Sequence, residues 1–197
     1  MTNPLHELRQ AREEARKAKD KLAEVVYITT ISADGYPATR PVFSREITGD
    51  GVCLYLSELS PKFRELTANP KMTLTFHWPD IGRVFRVTGD ASVIDNPAME
   101  SYWSSRHPTA QALAHFYEHV QQQSTAMASR DVLTNGIEKT KATLEKKGKA
   151  PLPKTWHCVL VKPHTVEAWT SGGDSRLHHR ELYRRSGKDW KKSLLVP

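Results

Sequence analysis

The segment Trp169-Thr170-Ser171-Gly172-Gly173-Asp174-Ser175-Arg176-Leu177-His178-His179-Arg180 leads from a tryptophan through a glycine turn to Arg, His and Arg at alternate positions. In an extended segment Arg176, His178 and Arg180 point the same way. Two guanidiniums flanking an imidazole repel one another, so they make a poor structural face. They make a good receptor for a phosphate or an aromatic anion, and a histidine there could act near neutral pH. Ser60-Pro61-Lys62 reads as a helix start, with Ser60 as the cap and Pro61 in the first helical position. The first amides of a helix lack partners and the dipole is positive there, so an anion binds readily. Serine-proline starts are common as plain caps. A lysine at that end is slightly unfavourable to the helix, which points toward a ligand. Arg40 and Arg45, five residues apart, fall on opposite faces of an undistorted strand. One could reach a phosphate and the other a substrate, or both could be charges on an edge strand; spacing alone does not choose.

Other chemistries lack their signatures. There is no Gly-x-Gly-x-x-Gly, no Gly-x-x-x-x-Gly-Lys-Ser/Thr and no Gly-x-Ser-x-Gly. No His-Glu-x-x-His occurs, His178 and His179 are adjacent and point differently, and Cys53 and Cys158 are far apart. No metal site is expected.

The elements that must position these residues follow from periodicity. Residues 4–23 read as a surface helix, with Leu5, Leu8, Ala11, Ala15, Ala18 and Leu22 spaced by three and four. Strands are expected at 25–32, 37–47, 52–57, 71–78 and 83–93, the first two joined by an Asp34-Gly35 hairpin turn. Asn69-Pro70 ends the helix begun at Ser60, and Asn96-Pro97 opens another reaching residue 105. Residues 108–147 are expected to be mostly helical with a break near 122–128, followed by a loop over 146–153. Strands return at 156–162, 165–169, 181–184 and 190–195. Early strands, a helical middle and late strands suggest one antiparallel barrel with helical insertions, closed by the late strands.

Composition sets the frame. The chain has 197 residues, 38% hydrophobic and 26% charged, enough for a packed core. No apolar run approaches the ~20 residues that span a bilayer. Residues 1–21 carry charges of both signs and lack a signal peptide's apolar stretch. With two free thiols expected, a cytoplasmic location and no membrane partner follow as expectations. The net charge of +7 favours anionic partners, either nucleic acid or phosphorylated small molecules.

Over residues 4–197 the chain resembles the pyridoxamine 5'-phosphate oxidase family of FMN-binding split-barrel flavoproteins. The resemblance is carried by residues 30–37 with Arg40 after them, and by Leu54-Tyr55-Leu56-Ser57 with Ser60-Pro61-Lys62. Glu65 to Pro70, Phe76 to Pro79, residues 102–106 and Gln123-Ser124 continue it. Its most specific part is Val166-Glu167-Ala168-Trp169 followed by Arg176-Leu177-His178-His179-Arg180, Tyr183, Trp190 and the terminal Leu195-Val196-Pro197.

The resemblance implies a mainly β fold, an antiparallel FMN-binding split β-barrel with peripheral helices. A single domain over 1–197 is expected, with an N-terminal helix in 1–23, a helical insertion at 96–147 and C-terminal barrel strands in 154–197. It implies that Arg40 and Lys62 hold the FMN phosphate. It also implies that Tyr55, Ser60, Gln123, Ser124, Trp169 and Arg180 belong to the cofactor site. Arg45 stands where the family usually has a lysine touching flavin and substrate. Tyr102 and Arg106 match substrate-phosphate ligands, and Arg176 and His178 match the catalytic pair over the substrate ring. A homodimer with the cofactor site at its two-fold interface is implied. Departures are Val84 for a flavin-contacting glutamine, Leu56 for a threonine, Ala110 for a serine at the substrate phosphate, and Thr170 for a glutamine. No counterpart of the family's substrate-covering N-terminal extension is expected.

The activity implied is oxidation of pyridoxamine or pyridoxine 5'-phosphate to pyridoxal 5'-phosphate with O2 as acceptor. The alternative is an FMN oxidase of an aromatic or phenazine-type acid in secondary metabolism. A third reading, a flavin- or nucleic-acid-binding module without turnover, would need stacking aromatics interleaved with lysines. No such pattern is present, so no nucleic-acid partner is expected.

Overall fold

The computed structural model describes residues 3–146, 148 and 150–197. Expectations that touch residues 1, 2, 147 and 149 lie outside the described residues. The described chain divides into two compact units. One holds residues 1–54, 65–92 and 159–197, and the other 55–64 and 93–158.

The first unit is built on strands β1 (Val25–Ile31), β2 (Pro37–Ile47) and β4 (Lys71–Trp78), with most of β5 (Arg83–Ile94) and β6 (Trp156–Thr170) and the start of β3 (Val52–Ser57). Strands β7 (His179–Ser186) and β8 (Asp189–Leu194) complete it. The strand order is β3-β2-β1-β4-β5-β6-β7-β8, and β3 also pairs with β6. That extra pairing closes six antiparallel strands into a barrel and leaves β7 and β8 as an extension of β6. The expected antiparallel split barrel is the fold observed.

Alternation explains the core. In β1 every second residue is buried, and Val26, Ile28 and Thr30 point inward. Leu74, Phe76 and Trp78 of β4 and Phe85 and Val87 of β5 meet them as the apolar filling. The Asp34-Gly35 turn forms as expected, with Gly35 at φ +85° and its amide donating to the Ser32 carbonyl at 2.9 Å. In β6 the two expected strands are one. Pro163 runs through it because Gly89 of β5 lies against Lys162 and Pro163, where any side chain would strike the backbone.

Helix α1 (Pro4–Lys17) starts where expected, capped by Asn3, whose side chain accepts from the Leu5 amide at 3.0 Å. It ends six residues before the expected limit. Lys19 adopts φ +58°, the Asp20 amide reaches Ala15 O at 2.9 Å and the Lys19 amide reaches Arg16 O at 3.0 Å. This is a Schellman stop with lysine in place of the usual glycine. The cause is tertiary. The Asp20 carboxylate accepts from the amides of Leu22 (2.8 Å) and Asp80 (3.1 Å), pinning the turn. Ala18 and Leu22 therefore leave the helical stripe.

The second unit is helical, with α3 (Met99–Ser104), α4 (Pro108–His119) and α5 (Arg130–Lys146). Its start, residues 55–64, includes the first turn of α2 (Pro61–Ala68). Trp103 and Phe116 are buried in it, and the Trp103 indole donates to the Ala150 carbonyl at 2.8 Å. Gly136 of α5 lets that helix lie directly on the Phe116 ring. The break between α4 and α5 falls at 120–129, slightly wider than expected. None of the described helices is long and apolar enough to cross a membrane.

Candidate active site

In the barrel unit, Trp169 near the end of β6 pairs across the ladder with Arg180 of β7. The His178 ring lies against the indole, centroids 4.6 Å apart. His178 Nδ1 accepts the Gly172 amide at 3.2 Å, so the ring is held from both sides. A side chain at Gly172 would collide with the backbone of Leu177. The glycine turn is thus what folds the histidine back onto the tryptophan.

This geometry corrects the expected extended run. Gly173–Ser175 is a short 3-10 turn, Arg176 follows it in the left-handed region at φ +55°, and the strand begins only at His179. Arg176, His178 and Arg180 therefore do not form one alternating face. Arg176 is exposed at the tip of the turn, while His178 and Arg180 are half-buried. Hydrogen bonds within the turn decide this: Ser175 Oγ donates to Gly172 O at 2.6 Å, and the Leu177 amide donates to Ser175 Oγ at 3.2 Å.

Arg180 is not an isolated cation. Its Nε and Nη2 donate to Glu167 Oε1 at 3.1 and 2.9 Å, and its Nη1 to the Val196 carbonyl at 2.9 Å. Arg86 of β5 binds the other Glu167 oxygen. Burial disfavours the Glu167 anion, but the hydrogen bonds from Arg180 and Arg86 outweigh it and hold the carboxyl below its usual range. A cavity of about 300 Å³ is lined by Thr75, Val84, Arg86, Glu167 and Trp169. Arg86 is the residue that sequence reasoning missed. Strand parity shows it exposed, but only the cross-strand Glu167 shows what it does. Val84 and Trp169 form the cavity's apolar walls, so the glutamine-to-valine departure lies on the cavity itself. Thr170 ends β6 opposite His179.

Arg40 and Arg45 separate as expected. Arg40 lies opposite Ile28, and its guanidinium binds Thr30 Oγ1 and, at 2.5 Å, Glu65 Oε2. Arg45 sits in a β-bulge between Ser44 and Glu46, and its guanidinium lies 5.2 Å from the exposed Phe43 ring, on the other face.

In the helical unit Lys62 is almost wholly buried, and its Nζ donates to Gln123 Oε1 at 3.3 Å. Two expected cofactor ligands, 61 residues apart, are thereby joined. Gln122 donates to Leu59 O at 2.8 Å, fixing the approach, and Ser124 turns the chain at φ +65°. Ser60 is fully buried and immediately precedes α2, its carbonyl accepting from the amides of Phe63 at 3.1 Å and Arg64 at 3.4 Å as the expected first residue of the helix start, while its hydroxyl donates to the Ser57 carbonyl at 2.7 Å.

Tyr55, Tyr102 and Arg106 also meet. The Tyr55 ring lies 5.2 Å from Tyr102 and stacks at 5.0 Å on Trp156. The Arg106 guanidinium sits 5.0 Å from the Trp156 centroid and 5.7 Å from Trp103. Leu56 is buried and Ala110 lies in the first turn of α4, both without polar side chains.

The chain can be set beside known proteins. Residues 12–144 match the family profile described as pyridoxamine 5'-phosphate oxidase. Residues 156–197 match the pyridoxine 5'-phosphate oxidase C-terminal dimerisation region. The chain is 31% identical over 185 residues to a pyridoxine/pyridoxamine 5'-phosphate oxidase of Pelagibacter ubique, covering 93% of this chain and 86% of the relative. It is 33% identical over 170 residues to the enzyme of that name from Shewanella woodyi, covering 86% and 77%. Among solved structures it resembles PhzG from Burkholderia lata in complex with tetrahydrophenazine-1-carboxylic acid. That match has TM-score 0.86 and 26% identity, with 100% of this chain and 94% of the other covered. A pyridoxamine 5'-phosphate oxidase-related, FMN-binding protein of Nostoc punctiforme shares the fold at TM-score 0.71 and 18% identity, with 96% and 97% covered.

Proposed function

The chain belongs to the pyridoxamine 5'-phosphate oxidase family, and from that premise we propose that it binds FMN and oxidises pyridoxamine or pyridoxine 5'-phosphate to pyridoxal 5'-phosphate with O2 as acceptor. The observation that carries this reading is the Trp169–His178 pair folded beside a cavity whose walls are Trp169 and Val84 and whose charged edge is Arg86 and Glu167.

The residues present fit a flavin phosphate and a flat ring. Lys62 is almost wholly buried and bonds Gln123, which sets two of the proposed phosphate-site residues side by side. Arg40, braced by Thr30 and Glu65, offers a guanidinium already oriented. Trp169 and Val84 offer apolar faces to a ring. When bound, FMN supplies the two-electron acceptor for a hydride leaving the substrate. Tyr102 and Arg106 bind the substrate phosphate. His178, locked by Gly172 and Trp169, orients the ring, and Arg176 balances charge as hydride leaves. Cytoplasmic residence belongs to the same proposal and rests on two buried cysteines that are not joined as a disulfide.

The test is pyridoxal 5'-phosphate formation by FMN-saturated protein given pyridoxamine 5'-phosphate and air. Product over many turnovers is expected. No product, with bound FMN still reducible by other donors, would overturn the substrate. A second reading, oxidation of a phosphate-free aromatic acid, is favoured by Val84 on the cavity wall and by the likeness to PhzG. Under that reading an aromatic acid bleaches the flavin faster than pyridoxamine 5'-phosphate does.

A further inference from the structure

His115, Glu118 and His119 occupy positions i, i+3 and i+4 of α4, on one side of the helix. One ligand atom from each lies within 4.8 Å of the others. His115 Nδ1 is 3.8 Å from Glu118 Oε2, and His119 Nε2 is 3.3 Å from the same oxygen. None of the three takes part in the flavin or substrate contacts assigned above, so the cluster stands independently of that reading.

The surroundings prepare each ligand. His115 is buried, and its Nε2 lies 2.8 Å from the Pro151 carbonyl. A carbonyl can only accept, so Nε2 carries the proton and Nδ1 presents its lone pair toward Glu118. Metal-ligating histidines are oriented by this kind of bond through the other ring nitrogen. The edge of Trp103 meets the His115 ring at 5.7 Å and limits its rotation. Glu118 is fixed likewise: its Oε1 accepts from the Thr155 hydroxyl at 3.1 Å, leaving Oε2 for the histidines. His119 is 65% exposed and stacks on His115 at 5.9 Å, so it can turn to close a chelate. Beside the cluster is a cavity of about 300 Å³ lined by His115, His119, Lys139, Thr140 and Pro151 among others.

Two imidazoles and one carboxylate suit zinc in a site that keeps an open fourth position. They are too rich in nitrogen for magnesium or calcium, which take oxygen ligands. We propose that His115 Nδ1, Glu118 Oε2 and His119 Nε2 form a binding site for a divalent transition-metal ion of the Zn²⁺ class. The fourth position faces the neighbouring cavity and takes water or a small anion, which Lys139 would favour. The ion ties the last turn of α4 together and, through His115, to the Pro151 carbonyl.

The experiment is calorimetric titration of Zn²⁺ into tag-free, chelator-stripped full-length protein. One ion per chain with micromolar or tighter affinity is expected. His119→Ala, a change at an exposed position, weakens binding by at least ~100-fold, more than loss of an orienting partner alone. Thr155→Val, which touches only the carboxylate's far oxygen, weakens it by about 10-fold. Added Zn²⁺ raises the melting temperature of the parent protein and not that of His119→Ala. No saturable binding, or equal affinity in parent and His119→Ala, would overturn the site. These two variants decide the matter even if a His115 variant fails to fold.

Discussion

Lys62 and Arg176 test two different roles in the proposed function. Lys62 is buried and bonds Gln123, and the proposal gives it the FMN phosphate. Hydrogen bonds to charged groups contribute about 1.5–3 kcal/mol. Lys62→Ala should therefore weaken FMN roughly ten- to a hundredfold in a flavin-fluorescence titration; an unchanged titration would refute the phosphate role. Arg176 is exposed at the tip of a turn and reaches no described hydrogen-bond acceptor by its side chain. Arg176→Ala should lower turnover far more than FMN affinity, and parallel losses in both would sink its assignment to the reaction. The residue types at both positions were legible in the sequence, as was the separation of Arg40 from Arg45. The link from Arg86 through Glu167 to Arg180 was not, because it joins strands 81 residues apart in sequence.

Elements impose their own tests. Gly89 of β5 faces the backbone of Lys162 and Pro163 in β6, and Gly89→Ala would wedge those strands apart. Overpacking of this kind costs about 1–3 kcal/mol, and a rigid backbone contact puts this change at the upper end. Urea unfolding should show it as a lower midpoint. Between β7 and β8, Glu181 gathers Lys192, His179 and the Tyr183 hydroxyl. Burial raises its pKa, but those three hydrogen bonds prevail and bring it from 4.5 down to about 2. A depressed carboxyl stabilises the fold above its unfolded value and loses that effect as pH falls toward the folded one. The difference in melting temperature between parent and Glu181→Gln should thus be full above about pH 4.5 and close progressively toward pH 2. A gap that stays constant across that window would show that Glu181 acts through packing alone.

For the whole molecule the match of residues 156–197 to a C-terminal dimerisation region bears on assembly. We propose a homodimer, which predicts sedimentation at about twice the 22.3 kDa of one chain. A monomer that still binds FMN at full affinity would show that the cofactor site is complete within one copy. The molecule's proposed metal site shows a different limit of pattern reading. His115-Phe116-Tyr117-Glu118-His119 carries the same residue types as His-Glu-x-x-His with the glutamate displaced, so a search for that order passes over it.

Local signals in the sequence were enough to determine strands β1 to β5 to within a residue, because β-branched alternation and an Asp-Gly turn act over a few residues and need no distant partner. The same holds for the helix starts at Pro4, Pro61 and Pro108, where a proline fits the first turn. The tertiary structure decided what depends on contacts between distant segments. Asp20 ends α1 early because the Asp80 amide arrives from another part of the chain. Pro163 stays within one long strand because Gly89 makes room for it. Arg176, His178 and Arg180 lose their shared face because Gly172 and Trp169 capture the histidine. In the first two cases a long-range hydrogen bond or close backbone approach outweighs a local preference of about 1 kcal/mol, and no spacing along the chain encodes that partner; in the third the hydrogen bonds of the folded turn outweigh the extended pattern.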